Sequence, residues 1–427
     1  MAVTATKPAL DTRSRDAGKP APDTEPESAR FPLPWVVAGA AVPMLLTLWD
    51  VQAQHHDFDA GFGRGLAAVA FAGLLGALLV LTVHELNPDE RALGTGVALA
   101  AVLTVSFLNQ SRFLWESPSL LFGGLAVAAM AVAGRWARLH GDDPRALVPP
   151  PRTAPVLATA VALLAGLIAG FGPVDETLGA QLAELLRYLL LGLGAVVLLA
   201  GDPAGNDGEV TLDEQFRRSV LAATTPIGLL FVTWEPGSAA ILAAGVVAML
   251  AARRFWFSAG LTAVVAVAVG TVWCWLAAGK ADKAWRDSHL EKRAEPVWDS
   301  RIWESASLGK HRSWVDQELP VATLVGQYGH FFAVLGCLLV AAFGWLLVRL
   351  MLAARPSSVQ VLAAGLVAML VAGLALPLVA LLTNHRFGLT VPLLSSGVTS
   401  LILALASVGV ALGAAAGPRV SGVGGRR

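Results

Sequence analysis

The residues that could do chemistry in this chain gather in one polar stretch and three small clusters. The stretch runs from Ala278 to Phe332 and mixes both charge signs, from Lys280, Asp282 and Lys283 through Glu291, Lys292, Arg293 and Arg301 to Lys310, Asp316 and Glu318. Acids and bases in such a mixture can move protons and hold anions. Trp285, Trp298, Trp303 and Trp314 are spaced through it. Long loops without structure of their own are usually functional or disordered, and this many tryptophans argue against a passive spacer. The first cluster is Gln181, Glu184 and Arg187, with the two charged residues three apart and so on one helix face. The second is Trp234 to Ala239, in which Pro236 and Gly237 make a turn beside Glu235. The third is Asn384 to Ser400, where Gly388, Pro392, Ser395 and Gly397 interrupt an apolar run. Ionisable groups at membrane depth are costly and point by default to function. Broken backbone there survives only in a protein interior or a cavity wall, so a re-entrant segment is expected before the last helix.

The elements that must position these residues are membrane helices. Of the 427 residues, 55% are hydrophobic and 15% charged, and the mean hydropathy is +0.63; ordinary soluble domains are about 25% charged. About twelve apolar runs approach the length that crosses a bilayer, at 35–53, 64–86, 92–109, 118–137, 153–171, 182–201, 217–234, 238–253, 256–278, 329–352, 359–383 and 398–416. The fold class is therefore an all-α polytopic membrane protein with one large extracytoplasmic loop. The domains read as a disordered cytoplasmic tail at 1–31, N-terminal membrane helices at 32–174, a core at 175–416 that includes the loop 279–328, and a cytoplasmic tail at 417–427. Arginines populate alternate joints, among them Arg135, Arg138, Arg217, Arg218, Arg253, Arg254, Arg349 and Arg355, while joints 172–181 and 235–237 hold none. Basic joints face the cytoplasm. Both termini are thus expected inside, with the polar stretch and all three clusters outside, in a multi-pass protein of the bacterial cytoplasmic membrane. The formal net charge of +0 excludes a globally basic nucleic-acid binder. Cys274 and Cys337 fit neither a disulfide framework nor a metal site.

In the order and spacing of these landmarks the chain resembles the shape, elongation, division and sporulation (SEDS) family, the FtsW/RodA and SpoVE-like proteins. Gln181, Glu184 and Arg187 fall in the register of the family's Gln-Pro-Ser-Glu-x-x-Lys helix. Thr233 to Ala239 parallels its Gln-Pro-Asp-x-Gly-Thr-Ala turn, with Glu235 in the Asp position. A large loop follows, and then Gly388, Pro392, Ser395, Gly397 and Ser400 match a terminal Gly-x-x-x-Pro-x-x-Ser-x-Gly-Gly-Ser-Ser pattern, from which Val398 and Thr399 depart. The resemblance covers roughly residues 175–415.

The resemblance implies a peptidoglycan glycosyltransferase. Such a protein would polymerise lipid II, or a similar polyprenyl-diphosphate sugar, on the outer membrane face during division or elongation, beside a class B penicillin-binding transpeptidase. A sugar hydroxyl would lose a proton and a lipid diphosphate would leave. Arg293, Arg301 and Lys310 are the implied diphosphate contacts, with Glu184, Arg187, Glu235 and Ser395 completing the substrate-binding set. No cofactor or metal is expected, a divalent cation being the one candidate helper. One departure bears on activity: the family's catalytic Asp register falls on Gly329, which has no side chain. His330, Asp316 and Glu318 are the candidate replacement bases. Two alternatives stand beside this reading. One is a catalytically inactive relative that acts as scaffold or regulator for a transpeptidase. The other is a polyprenyl-lipid transporter or flippase in which Glu184 couples protons.

Overall fold

The computed structural model describes residues 32–54, 62–109, 117–141, 161, 163–167, 176–199, 212–233, 236–284, 320–354, 357–383, 391–394 and 398–416. Among the described residues, eleven helices can be bounded, besides a helical fragment at 161 and 163–167: α1 (Leu33–Gln54), α2 (Phe62–Leu86), α3 (Glu90–Asn109), α4 (Ser117–His140), α5 (Glu176–Leu199), α6 (Leu212–Thr233), α7 (Pro236–Ala252), α8 (Trp256–Ala284), α9 (Pro320–Ala353), α10 (Ser358–Thr383) and α11 (Val398–Ala416). Of the run expected at 153–171, only 161 and 163–167 are described, and they are helical. The protein is an all-α, multi-pass membrane protein. Among the described residues, five segments are long and apolar enough to cross a bilayer, namely Ala68–Leu86, Leu182–Leu199, Val334–Ala353, Ser358–Leu376 and Val398–Ala416, and four shorter apolar helices accompany them.

Local chemistry sets several boundaries. Asp89 accepts the Arg91 N–H and caps α3, while Asn87 accepts the Asp89 N–H and donates to the Leu412 carbonyl, tying the α2–α3 turn to α11. Ser357 and Gln360 form a reciprocal capping box at the start of α10. The Gln360 amide also donates to the Met351 and Ala354 carbonyls, so one side chain closes both ends of the α9–α10 turn. Pro236 opens α7 at the position where a missing N–H costs nothing. Pro226 within α6 deprives the Ala222 carbonyl of its helical donor, and the Thr225 hydroxyl donates to that oxygen instead, at 2.7 Å.

Packing is closest where side chains are smallest. A Cβ on Gly409 would collide with the Met130 carbonyl, and one on Gly413 with the Gly134 carbonyl, so α11 and α4 meet backbone to backbone. Around α7, Gly245 sits against Leu191 of α5 and Met369 of α10, and Met249 against Gly194 and Gly365. Helices α5 and α7 therefore run parallel, with α10 antiparallel to both. Helices α8 and α9 are the longest among the described residues. The 29 residues of α8 and the 34 of α9 extend for about 43 and 51 Å, against a hydrocarbon core of about 30 Å. Arg349, over the Trp345 ring at 6.0 Å, marks the far end of α9. The surplus length of α9 thus lies toward the polar stretch, of which 285–319 is outside the described residues.

Candidate functional site

The site is built on the buried face of α5. Glu184, Arg187, Leu191 and Leu198 share that face, at helical spacing, and all are buried. Arg187 is 2% exposed and Glu184 3%, and Arg187 Nη2 lies 3.4 Å from Glu184 Oε1. The pair expected from spacing alone is therefore formed, and it faces protein, not lipid. Arg187 Nε and Nη1 have no hydrogen-bond partner among the described residues. A buried guanidinium with donors to spare is suited to a second anion.

One helical turn on, Tyr188 is hydrogen-bonded to Ser407 of α11. The Ser407 hydroxyl donates to the Leu403 carbonyl at 2.7 Å, which leaves its lone pairs to accept the phenol proton. Ser400 lies two turns along α11 from Ser407. It is 1% exposed, and its hydroxyl has no partner among the described residues. Tyr188 and Ser407 were not among the expected site residues. A signal for the first was present: Tyr188 is one of two tyrosines in the chain and stands four residues after Glu184, on the same helix face.

The interrupted segment before α11 contributes a turn. Leu394 N–H donates to the Val391 carbonyl, Pro392 takes the second position, and Leu393 adopts a φ of 66° at the third. This is the pattern of a type II turn, in which glycine is the usual third residue. Leu393 is 1% exposed and Val391 1%, so burial of apolar side chains holds a backbone conformation that costs energy. Pro392 packs on Gly373 of α10, where an added Cβ would come within 2.7 Å of its ring and 3.6 Å of Ile241 in α7. Leu191 adjoins Gly245 in the parallel helix α7, so Arg187, four residues earlier, stands level with Ile241. The ion pair and the Pro392 turn therefore occupy one level of the bundle, near the end of α7 from which the chain enters that helix.

His330 lies inside α9, about 35 Å along the axis from Ala353. Glu235, Arg293, Arg301, Lys310, Asp316, Glu318 and Ser395 lie outside the described residues. Among the described residues, no group of three or more His, Cys, Asp or Glu side chains gathers as a metal site would require.

No known family model and no curated protein matches the sequence. Among solved structures, the chain is similar to one from work on the structural coordination of polymerization and crosslinking by a peptidoglycan synthase complex, at 22% identity and a TM-score of 0.49, over 75% of this chain and 96% of that one. It is similar to the rod shape determining protein RodA of Thermus thermophilus at 19% identity and a TM-score of 0.48, over 75% of this chain and 95% of that one. A mutant of that protein gives 21% identity and a TM-score of 0.47, over 75% and 96% of the two chains.

Proposed function

We propose that this protein is a divergent SEDS-like glycosyltransferase that polymerises a polyprenyl-diphosphate sugar such as lipid II at the outer membrane face. The observation that carries the reading is the buried Glu184–Arg187 pair at the level of the Pro392 turn. Two stretches about two hundred residues apart in sequence, which together resemble one family, meet at one depth of one bundle. A buried ion pair contributes little net stability, because desolvation of both charges offsets their attraction. Its presence in a membrane helix therefore favours a functional role, and the spare Arg187 donors suit a diphosphate oxygen. On this proposal His330, about 35 Å along α9 from Ala353, would meet a sugar joined to a membrane diphosphate. In this reading Arg187, with Arg293, Arg301 and Lys310, binds the leaving diphosphate, while Glu184, Glu235 and Ser395 line the substrate. His330, or Asp316 or Glu318 from the loop, accepts the proton of the attacking hydroxyl.

The test is glycan synthesis by the purified full-length protein in liposomes containing fluorescent lipid II, with and without a class B transpeptidase. Polymer that is lost in Arg187→Met and in His330→Ala supports the reading. No polymer under conditions in which an active family member works would leave the second reading, an inactive scaffold for a transpeptidase. That reading is favoured by Gly329 standing where the family has its catalytic Asp.

A further inference from the structure

A second feature lies on the lipid-facing side of the bundle, away from the ion pair. Helices α6 and α8 both lean on α7 and leave between them an apolar groove of about 240 Å³. Small residues of α7, Ala239 and Ala243, form its floor, and Phe216 and Leu230 of α6 face Ser258 and Gly270 of α8 across it. From Phe216 to Leu230 is about 21 Å along the helix, and from Ser258 to Gly270 about 18 Å. The groove is long and narrow, the shape of one extended hydrocarbon chain. Pro226 lines its middle, at the point where α6 exchanges a backbone hydrogen bond for the Thr225 hydroxyl.

Its two ends differ in charge. The end framed by Leu230, Ala239 and Gly270 is the one where α6 passes into α7. The other, framed by Phe216 and Ser258, carries Arg217 and Arg218 on α6 and Arg253 and Arg254 in the α7–α8 turn. Four arginines stand there against Asp213 and Glu214, the carboxylates nearest in sequence. Arg217 and Arg254 are exposed, and so are the aromatic rings of Phe216, Trp256 and Phe257. Basic and aromatic side chains together are the composition of a membrane–water interface.

The turn itself is built at a cost. Arg254 N–H donates to the Ala251 carbonyl and Phe255 N–H to the Leu250 carbonyl, a Schellman closure of α7. Its left-handed residue is Arg254, with a φ of 63°, where glycine would be unstrained. Arg253 lies over the Phe255 ring at 5.9 Å. An arginine held in a glycine conformation beside the mouth of an apolar groove has a physical use if it meets an anion there.

We propose that this groove binds an anionic diacyl phospholipid, its phosphate between Arg217 and Arg254 and one acyl chain laid over the alanines of α7. Charge complementarity selects this occupant. A polyprenyl-diphosphate sugar used at the Glu184 level would carry its diphosphate at the opposite end of the same helices, so the lipid is a different molecule from the proposed substrate.

The experiment uses the full-length protein in a neutral detergent. Binding of phosphatidylglycerol and phosphatidylcholine with identical acyl chains is measured by native mass spectrometry and by the rise in Tm. Phosphatidylglycerol is expected to bind at least tenfold more tightly, and added salt is expected to reduce the difference. Arg217→Gln with Arg254→Gly should abolish the preference while leaving the lipid-free Tm unchanged or raised, since glycine relieves the turn. Gly270→Phe fills the groove from a position where an added Cβ meets nothing, and it should weaken both lipids. Equal affinity for the two lipids would overturn the proposal, as would a preference that survives the double substitution. Displacement of phosphatidylglycerol by polyprenyl phosphate from wild type but not from Gly270→Phe would also overturn it, by giving the groove to the substrate.

Discussion

Replacing Arg187 with methionine tests the buried pair most directly. The guanidinium is 2% exposed and its Nη2 is 3.4 Å from Glu184 Oε1. Methionine keeps much of the volume and removes the charge, which takes the guanidinium away from the buried Glu184 carboxylate. Breaking a buried pair in this way costs about 3–5 kcal/mol. Glu184→Gln alone should cost a comparable amount, because Arg187 is then the isolated ion. The double variant buries no net charge and should lie within about 1–2 kcal/mol of wild type, so the coupling between the two sites is at least about 2 kcal/mol. Reversible unfolding in mixed micelles, read by tryptophan fluorescence for all four proteins, supplies the cycle. Additive costs would refute the pairing, as would an Arg187→Met cost under about 1 kcal/mol. The same proteins separate folding from function. If the double variant regains stability and still polymerises lipid II at the wild-type rate, the pair has no part in the chemistry.

Further outcomes follow from the packing. Gln360→Ala removes a capping-box partner and the donor to Met351 and Ala354, and should lower stability by about 1–2 kcal/mol, with faster hydrogen exchange confined to the α9–α10 turn. Thr225→Val keeps the shape and leaves the Ala222 carbonyl beside Pro226 without its hydroxyl donor, at about 1–3 kcal/mol in the same unfolding assay. Gly409→Val should cost about 3 kcal/mol or more, because the new side chain meets the Met130 backbone, which cannot move aside as a flexible side chain would; the monodisperse yield on size exclusion reads this out. Tyr188→Phe deletes the phenol that meets Ser407 and should cost about 0.5–1.5 kcal/mol; an equal loss in a Ser407→Ala background would show that the two hydroxyls do not interact.

Much of the architecture was readable from local pattern. A run of apolar residues in lipid has one outcome, since every backbone N–H and carbonyl must be satisfied within the segment, and a helix does so without a partner. The runs at 64–86, 92–109 and 359–383 accordingly became α2, α3 and α10, with ends displaced by a few residues. The Glu184–Arg187 pair was readable for the same reason, because three residues along a helix is a contact set by geometry alone. Pro236 marked the start of α7 through its missing N–H.

Tertiary structure decided the rest. In α10, apolar residues occupy every side, so composition does not distinguish the face that meets lipid from the face that meets protein; Gly365, Met369 and Gly373 are inside only because α7 and the Pro392 ring come to meet them. The bond from Tyr188 to Ser407 joins residues far apart in the chain, and no local spacing encodes it. The left-handed Leu393 and Arg254 likewise stand where sequence preference would place glycine, held there by burial in one case and by helix closure in the other. Sequence by itself determined that the chain crosses a membrane as helices and which of their positions carry charge. Only the folded bundle determined which of those charges share a depth, because lipid and protein interior are equally apolar and the choice between them is made by shape.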